Sequence, residues 1–345
     1  MVVDNKNVIA KPADHRGLAV SVVVPVYNGG KAFLDCLASL KALDPSPKEI
    51  IVVADSDTDG SGRRAEERGF LVLRTSRRVG PAKTRNLGAA AAKGDILFFL
   101  DADVVVSRRA IEHIEAAFEG NPGLVALFGS YDDSPAALNF LSQYKNLLHH
   151  YTHQTSSQEA STFWAACGAV RRDAFQALGG FDVNFNLPAI EDIDLGYRLK
   201  KAGYRIALKK DLQVKHLKRW SIGALLKTDL VYRAIPWTVL ILRDRRFIND
   251  LNLKLSSRFS VGVAWTALAA VTAGCFRQVF FWPAGLLLLL LILLNLPVYR
   301  FFLRKRGFLF LLRVLPWHWL YFLYSGLGFA IGLMKHLLSA RRPAS

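Results

Sequence analysis

From residue 19 onward, short β-branched apolar runs alternate with stretches whose apolar residues recur at helical spacing. The runs "AVSVVVPVY", "EIIVVAD", "FLVLR" and "DILFFLDAD" are short, and polar or turn-forming residues bound them, which predicts strands. Between them the pattern predicts helices near 30–43, 60–68 and 81–93. This alternation is the βαβ pattern of an α/β fold, with a mostly parallel sheet and helices on both faces. Past residue 120 it continues with a strand at "LVALFGSY", a helix around 135–153 and a strand at "FWAACGAV". A helix then starts near Glu191 in "EDIDLGYRLKKAG", with Gly203 as its cap. Ligands of such sheets bind beyond the carboxyl ends of the strands. Pro25, Tyr27 and Asn28 follow the first strand, Asp55 the second, and Asp101 and Asp103 the fourth, so one rim should collect them.

The periodicity changes in the last third of the chain. "FSVGVAWTALAAVTAGCF" (259–276), "VFFWPAGLLLLLLILLNLPVY" (279–299) and "VLPWHWLYFLYSGLGFAIGLM" (314–334) carry almost no charge on any face. Each is roughly 18 to 21 residues, enough for a helix to cross a ~30 Å hydrocarbon core. The expectation is an integral membrane protein of a bacterial plasma membrane, with three C-terminal transmembrane helices in residues 258–338 and a tail at 339–345. Arg300, Arg304, Lys305 and Arg306 between the second and third runs predict a cytosolic loop. The third run would send Lys335, Arg341 and Arg342 outward, so a re-entrant path for 307–320 stays open, with two to four spans in all. "MVVDNKNVIAKPADHRGLAV" has no apolar segment behind a basic start, so residues 1–18 read as a flexible arm before a cytosolic domain at 19–220. Residues 221–257 mix apolar and basic positions around Pro236 and read as an amphipathic interfacial segment.

Composition sharpens this picture at two points. The net charge of +17 raises the question of nucleic acid, but no nucleic-acid motif accompanies it and the basic residues crowd into 205–258. Anionic membrane lipids are the partner that position predicts. Cys36, Cys167 and Cys275 match no metal or redox spacing.

The chemistry sits in the carboxylates. A lone DxD is weak evidence, but Asp101 and Asp103 flank the small Ala102 at the end of an apolar strand. Carboxylates there suit Mg²⁺ or Mn²⁺, which prefer oxygen donors and leave positions for waters and substrate phosphates. A solvated turn that merely ends the strand is the alternative. Glu191 and Asp192 open a helix, where its dipole favours acids, so helix capping is the alternative to catalysis there.

Five blocks, "VSVVVPVYN", "EIIVVADSDTDGS", "VGPAKTRNLGAAAAKGDILFFLDADV", "GGFD" and "EDIDLGYRL", resemble the family 2 glycosyltransferases in order and spacing over about residues 19–220. The resemblance implies a GT-A fold and a nucleotide-sugar donor. It places Pro25, Tyr27 and Asn28 in the nucleotide pocket, Asp55 on the base, Arg85 near the nucleotide or its phosphates and Asp101 at the ribose or metal. Asp103 would be the principal metal ligand, and Asp192 of the Glu191–Asp192 pair the base that deprotonates an acceptor hydroxyl during inverting, in-line transfer. Ala54 departs from the family's usual DDGS, which bears on nucleotide preference. His216 would either complete the metal site or be structural. "RAIPW" stands where processive members carry QxxRW; only Arg233 and Trp237 remain there as candidate acceptor contacts, with Trp237 either stacking on an acceptor sugar or belonging to an interfacial aromatic belt, and this departure argues against a long processive polymer.

The acceptor expected is membrane-associated: a lipid-linked sugar, a glycolipid or a polysaccharide precursor. A polyprenyl-phosphate glycosyl synthase is the alternative within the class, but a phosphate nucleophile needs no base, and "EDIDLGYRL" favours a hydroxyl. A catalytically silent scaffold with the same fold is the alternative outside it; the joint presence of Asp55, Asp101, Asp103 and Asp192 argues against that. A soluble nucleotidyltransferase lacks support, since no Gly-rich phosphate loop is visible.

Overall fold

The β-branched and aromatic runs become the central strands of one eight-stranded sheet, seen in a computed structural model that describes residues 17–185, 190–245 and 250–340. The strands are β1 (Val20–Val26), β2 (Glu49–Ala54), β3 (Leu71–Arg74), β4 (Ile96–Leu100), β5 (Val104–Val106), β6 (Leu124–Tyr131), β7 (Cys167–Arg171) and β8 (Arg205–His216). Their spatial order is β3-β2-β1-β4-β7-β6-β8-β5. Around them lie α1 (Gly30–Lys41), α2 (Ser61–Glu66), α3 (Pro81–Ala91), α4 (Ala110–Glu119), α5 (Phe140–Gln154), α6 (Arg172–Ala177) and α7 (Glu191–Lys201).

The parallel β3-β2-β1-β4 half has the register that the βαβ pattern demands. Val26 lies opposite Ala54 and Val23 opposite Phe99, so the ends of β1, β2 and β4 share a rim. Val22, Val23, Val24, Ile51, Val52, Val53 and all of β4 are fully buried. Each such side chain is worth about 1.5–3 kcal/mol of burial, which fixes the platform under the rim.

The other half is mixed, and this corrects the simple parallel expectation. β7 runs antiparallel to both β4 and β6, and β5 antiparallel to β8. Cys167 pairs with Leu100, so β7 starts at the rim and the 163–166 stretch, expected as strand, is a turn lying over it. Val104 pairs with His216, so β8 ends beside the DxD segment. β8 gives little sequence signal because Lys209, Lys210 and Asp211 interrupt its apolar positions.

The C-terminal third comprises α8 (Ile222–Leu226), a π-helical stretch Lys227–Ala234, α9 (Ile235–Asp244), α10 (Leu255–Gly274), α11 (Phe281–Leu294), α12 (Leu296–Arg306) and α13 (Phe308–Ala340). In the segment 221–257, read as amphipathic, Leu225, Leu240 and Ile241 are buried, and α9 lies along α13. The three expected spans also change form. Among the described residues no single helix is long and apolar enough to cross a membrane. The 279–299 run breaks at Asn295, and α11 and α12 meet at 67°; this bent pair alone meets the length and composition test. Pro297 lacks the N–H that would carry α11's hydrogen-bond ladder onward. Arg258 and many small residues dilute α10, while the 314–334 run continues through Pro316 inside the longer α13. Lys305 and Arg306, expected in a cytosolic loop, dock on the sheet domain, where Lys305 pairs with Asp133 and Arg306 Nε donates to Gln143 Oε1 at 2.8 Å. The expected arm before residue 17 and the tail beyond 340 lie outside the described residues.

Candidate active site

Helix α3 carries Arg85 to the rim because Gly88, one turn on, has no side chain: a Cβ there would overlap Val23 of β1. Arg85 is buried and bridges two carboxylates, Nη2 donating to Asp101 Oδ1 at 2.7 Å and Nη1 to Glu191 Oε1 at 2.8 Å. Burial opposes its charge, but the Asp101 and Glu191 carboxylates outweigh that and raise its pKa. Arg85, expected near the nucleotide or its phosphates, thus ties the DxD segment to the first turn of α7.

Asp192, next in the chain, is partly buried at that helix start. Its Oδ2 accepts from Ala165 N at 3.1 Å and its Oδ1 from Ile193 N at 2.8 Å. Gly196 makes this placement feasible, since a Cβ there would lie 2.6 Å from the backbone carbon of Thr162. Burial, then repulsion from Glu191, raises the Asp192 pKa to about 6, with Arg85, the Ala165 N–H and Arg233 pulling the other way. A carboxylate tuned there is mostly ionised at neutral pH yet basic enough to take a proton.

The β5–β8 register places Asp103 Oδ2 3.5 Å from His216 Nε2. His216 is buried, stacks on Tyr131 with ring centroids 4.4 Å apart, and has Nδ1 2.7 Å from Asn146 Oδ1. An amide oxygen can only accept, so Nδ1 carries hydrogen and the lone pair of a neutral His216 faces Asp103. Burial would raise the Asp103 pKa, but the charged form of His216, in which Nε2 carries hydrogen and donates, and then Lys218 lower it. A lone pair facing a carboxylate fits a cation between them, and two protein ligands suit Mg²⁺ or Mn²⁺. Asp101 is turned to Arg85 instead, and no group of three or more metal-ligating side chains occurs among the described residues. Of the three ligands expected, Asp103 and His216 face each other, while Asp101 faces Arg85.

The residues expected at the nucleotide divide. Tyr27 is 43% exposed, and the Arg78 guanidinium lies over its ring at 4.1 Å, a cation that the sequence reading missed in "TSRRVG". Pro25 lies in β1, opposite Val53. Asn28 holds the 57–61 loop, its Oδ1 accepting from Thr58 N at 2.8 Å. Asp55 is buried and accepts from Thr75 Oγ1 at 2.9 Å, Val79 N at 2.8 Å and Gly80 N at 2.9 Å, so all these contacts organise the loop before α3. Asp59 was missed too: it accepts from Gly30 N at 3.0 Å and Ser61 Oγ at 2.6 Å, and "TDGS" was its signal.

Trp237 donates from Nε1 to Tyr197 Oη of α7 at 3.1 Å, so it braces the helix that carries Asp192. Both Trp237 and Arg233 line a cavity of about 780 Å³ between the sheet domain and the C-terminal helices.

Residues 21–179 match the profile described as Glycosyl transferase family 2. This stretch is similar to the family 2 glycosyltransferases. Within it fall Arg85, Asp101 and Asp103, while Glu191, Asp192 and His216 lie beyond the matched residues. The chain is 30% identical over 128 residues to Glycosyltransferase GlyG of Streptococcus pneumoniae; that match covers 35% of this chain and 42% of GlyG, less than half the length of this curated relative. Among solved structures, residues 1–349 of S. aureus TarS in complex with UDP-GlcNAc superpose with a TM-score of 0.50 at 20% identity, covering 66% of each chain. GalNAc-T7 with UDP, GalNAc and Mn²⁺ also gives a TM-score of 0.50, at 17% identity, covering 72% of this chain and 51% of its own. These likenesses establish a GT-A-like fold for the sheet domain.

Proposed function

We propose that the chain is a membrane-associated, inverting glycosyltransferase that moves a sugar from a nucleotide-diphosphate donor to a hydroxyl of a membrane-associated acceptor. The observation that carries this reading is the Asp101–Arg85–Glu191 strut, which sets Asp192 beside the DxD segment with its pKa raised to about 6. Asp192 accepts the proton of the attacking hydroxyl, its oxygens aimed by the Ala165 and Ile193 N–H groups. Tyr27 and Arg78 offer a stacking face and a cation to the nucleotide at the rim. Asp103 and His216 would hold a divalent metal, and that ion would neutralise charge growing on the departing diphosphate. The uridine nucleotides in the TarS and GalNAc-T7 structures, and Mn²⁺ in the latter, support a donor and metal of these classes.

Membrane association rests on the apolar surface of the C-terminal helices. Phe276 is 85%, Trp282 80% and Leu309 77% exposed, and Leu286, Leu289 and Leu293 are exposed along α11. So many exposed large apolar side chains mark a lipid or protein interface.

A donor screen on purified membranes, with Mn²⁺ and mass analysis of the lipid fraction, tests the reading. A glycosylated product that disappears in Asp192→Asn is expected. Absence of product and of nucleotide release across the panel, with nucleotide binding intact, would establish the silent scaffold instead.

A further inference from the structure

The cavity of about 780 Å³ is a second constructed space whose chemistry differs from that of the rim. Its volume falls within the roughly 300–1,000 Å³ of small-molecule sites. Most of its wall is apolar and comes from α9, α10 and α13, with Trp237, Ile241, Val261, Trp265, Leu327 and Phe329 among the lining residues.

Polar groups gather where the sheet domain meets the π-helical stretch. Asp229 there is already satisfied, since Lys145 Nζ reaches its two oxygens at 2.6 and 2.7 Å and Tyr324 Oη donates to it at 2.9 Å. Arg233, one turn further along, has no carboxylate within ion-pair distance among the described residues. It lines the cavity, and its positive charge bears on Asp192, Tyr131 and His149. His149 also lines the cavity, and its buried Nδ1 has no hydrogen-bond partner. A mostly apolar chamber lined by a cation that has no carboxylate partner among the described residues, and whose charge reaches the proposed base, suits one amphiphile: hydrocarbon chain, anionic group, then hydroxyl.

We infer that the cavity holds the hydrocarbon chain of the acceptor, a lipid whose anionic group meets Arg233 and whose hydroxyl is thereby delivered to Asp192. The identity of the chain's owner as acceptor rests on the glycosyltransferase reading; occupancy of the cavity by a lipid chain does not. The cavity explains why the C-terminal helices are packed onto the sheet domain by Lys305, Arg306 and the Trp237–Tyr197 bond. Separated from it, they could supply a membrane surface but no chamber wall.

The test uses a palmitate analogue with a diazirine in its chain, photolysed with the full-length protein in phosphatidylcholine vesicles, and maps labelled residues by mass spectrometry. Label on Val261, Trp265, Leu327 and Phe329, displaced by excess palmitate, is expected. Gly262 lines the cavity, and a Cβ there meets no atom within 4 Å, so Gly262→Leu enters the chamber from a position with open space at its Cβ. It should remove cavity label while label on exposed Phe276 and Trp282 persists. Gly285→Leu on α11, equally open at its Cβ but outside the lining, controls for added bulk and should leave cavity label intact. Arg233→Gln should raise the palmitate concentration for half-displacement about tenfold, the loss of one charge-assisted contact. Label confined to Phe276 and Trp282, or cavity label undiminished in Gly262→Leu, would overturn the inference. Labelling needs no donor sugar. Loss of nucleotide release with cavity label intact therefore counts against the proposed function alone, and the converse counts against this inference alone.

Discussion

Replacement of Asp192 by asparagine should separate catalysis from stability. Burial and Glu191 raise its pKa from 3.8 to about 6 in the folded chain. A rise of about 2 units means that ionising Asp192 costs the folded state ~3 kcal/mol more than it costs the unfolded chain. The sign follows for an acid with a raised pKa: the penalty is absent below the unfolded value, grows as pH rises, and is complete above about 6. The substituted amide would be neutral throughout and could still accept one of the two N–H bonds. The variant should therefore match the wild type near pH 4 and exceed it in stability by up to ~3 kcal/mol at pH 7, read as a growing Tm difference by differential scanning fluorimetry. Wild-type kcat/KM for transfer should fall about tenfold from pH 7 to pH 5 as the base is protonated. Transfer by the variant should be abolished, with donor binding retained. An active variant, or a Tm difference that does not change with pH, would refute the placement of Asp192 as a desolvated base.

Other perturbations test the scaffold around it. Arg85→Met leaves the buried Glu191 and the half-buried Asp101 without their shared cation and should cost about 3–5 kcal/mol in urea unfolding, whereas an exposed pair such as Arg109–Glu112 should cost under ~1 kcal/mol. His216→Ala should raise the Mn²⁺ concentration for half-maximal nucleotide release, and Asn146→Ala, which frees the His216 ring, should do so by roughly 10–100-fold. Gly196→Ala forces α7 away from the Thr162–Phe163 backbone; we expect about 1–3 kcal/mol of destabilisation and a fall in kcat exceeding any change in donor affinity.

Much of the parallel half was legible because its signals are local. β1, β2 and β4 are β-branched or aromatic runs, and Asp101 and Asp103 stand directly after one of them, so alternation and strand ends sufficed to bring them to one rim. The nucleotide assignments were less legible. A sequence places Asn28 and Asp55 after their strands but cannot say that loops turn back to occupy their oxygens. The membrane runs show the same limit: composition gives three apolar stretches, but the break at Asn295 depends on Pro297 and on Asn295 Nδ2 bonding to Ser260 Oγ at 2.9 Å across helices.

By itself, then, the sequence determined the kind of strands and helices, the βαβ order, and which side chains carry the chemistry, since hydrophobic period and residue type act over a few positions. Tertiary structure decided how those side chains divide the work. Arg85 and Glu191 are 106 residues apart, and Asp103 meets His216 only through the antiparallel β5–β8 register. The first meeting sets Glu191 and Arg85 beside Asp192, whose pKa they push in opposite directions, and the same Arg85 holds Asp101. The cavity arises likewise, where helices far apart in the chain leave space that no local pattern encodes.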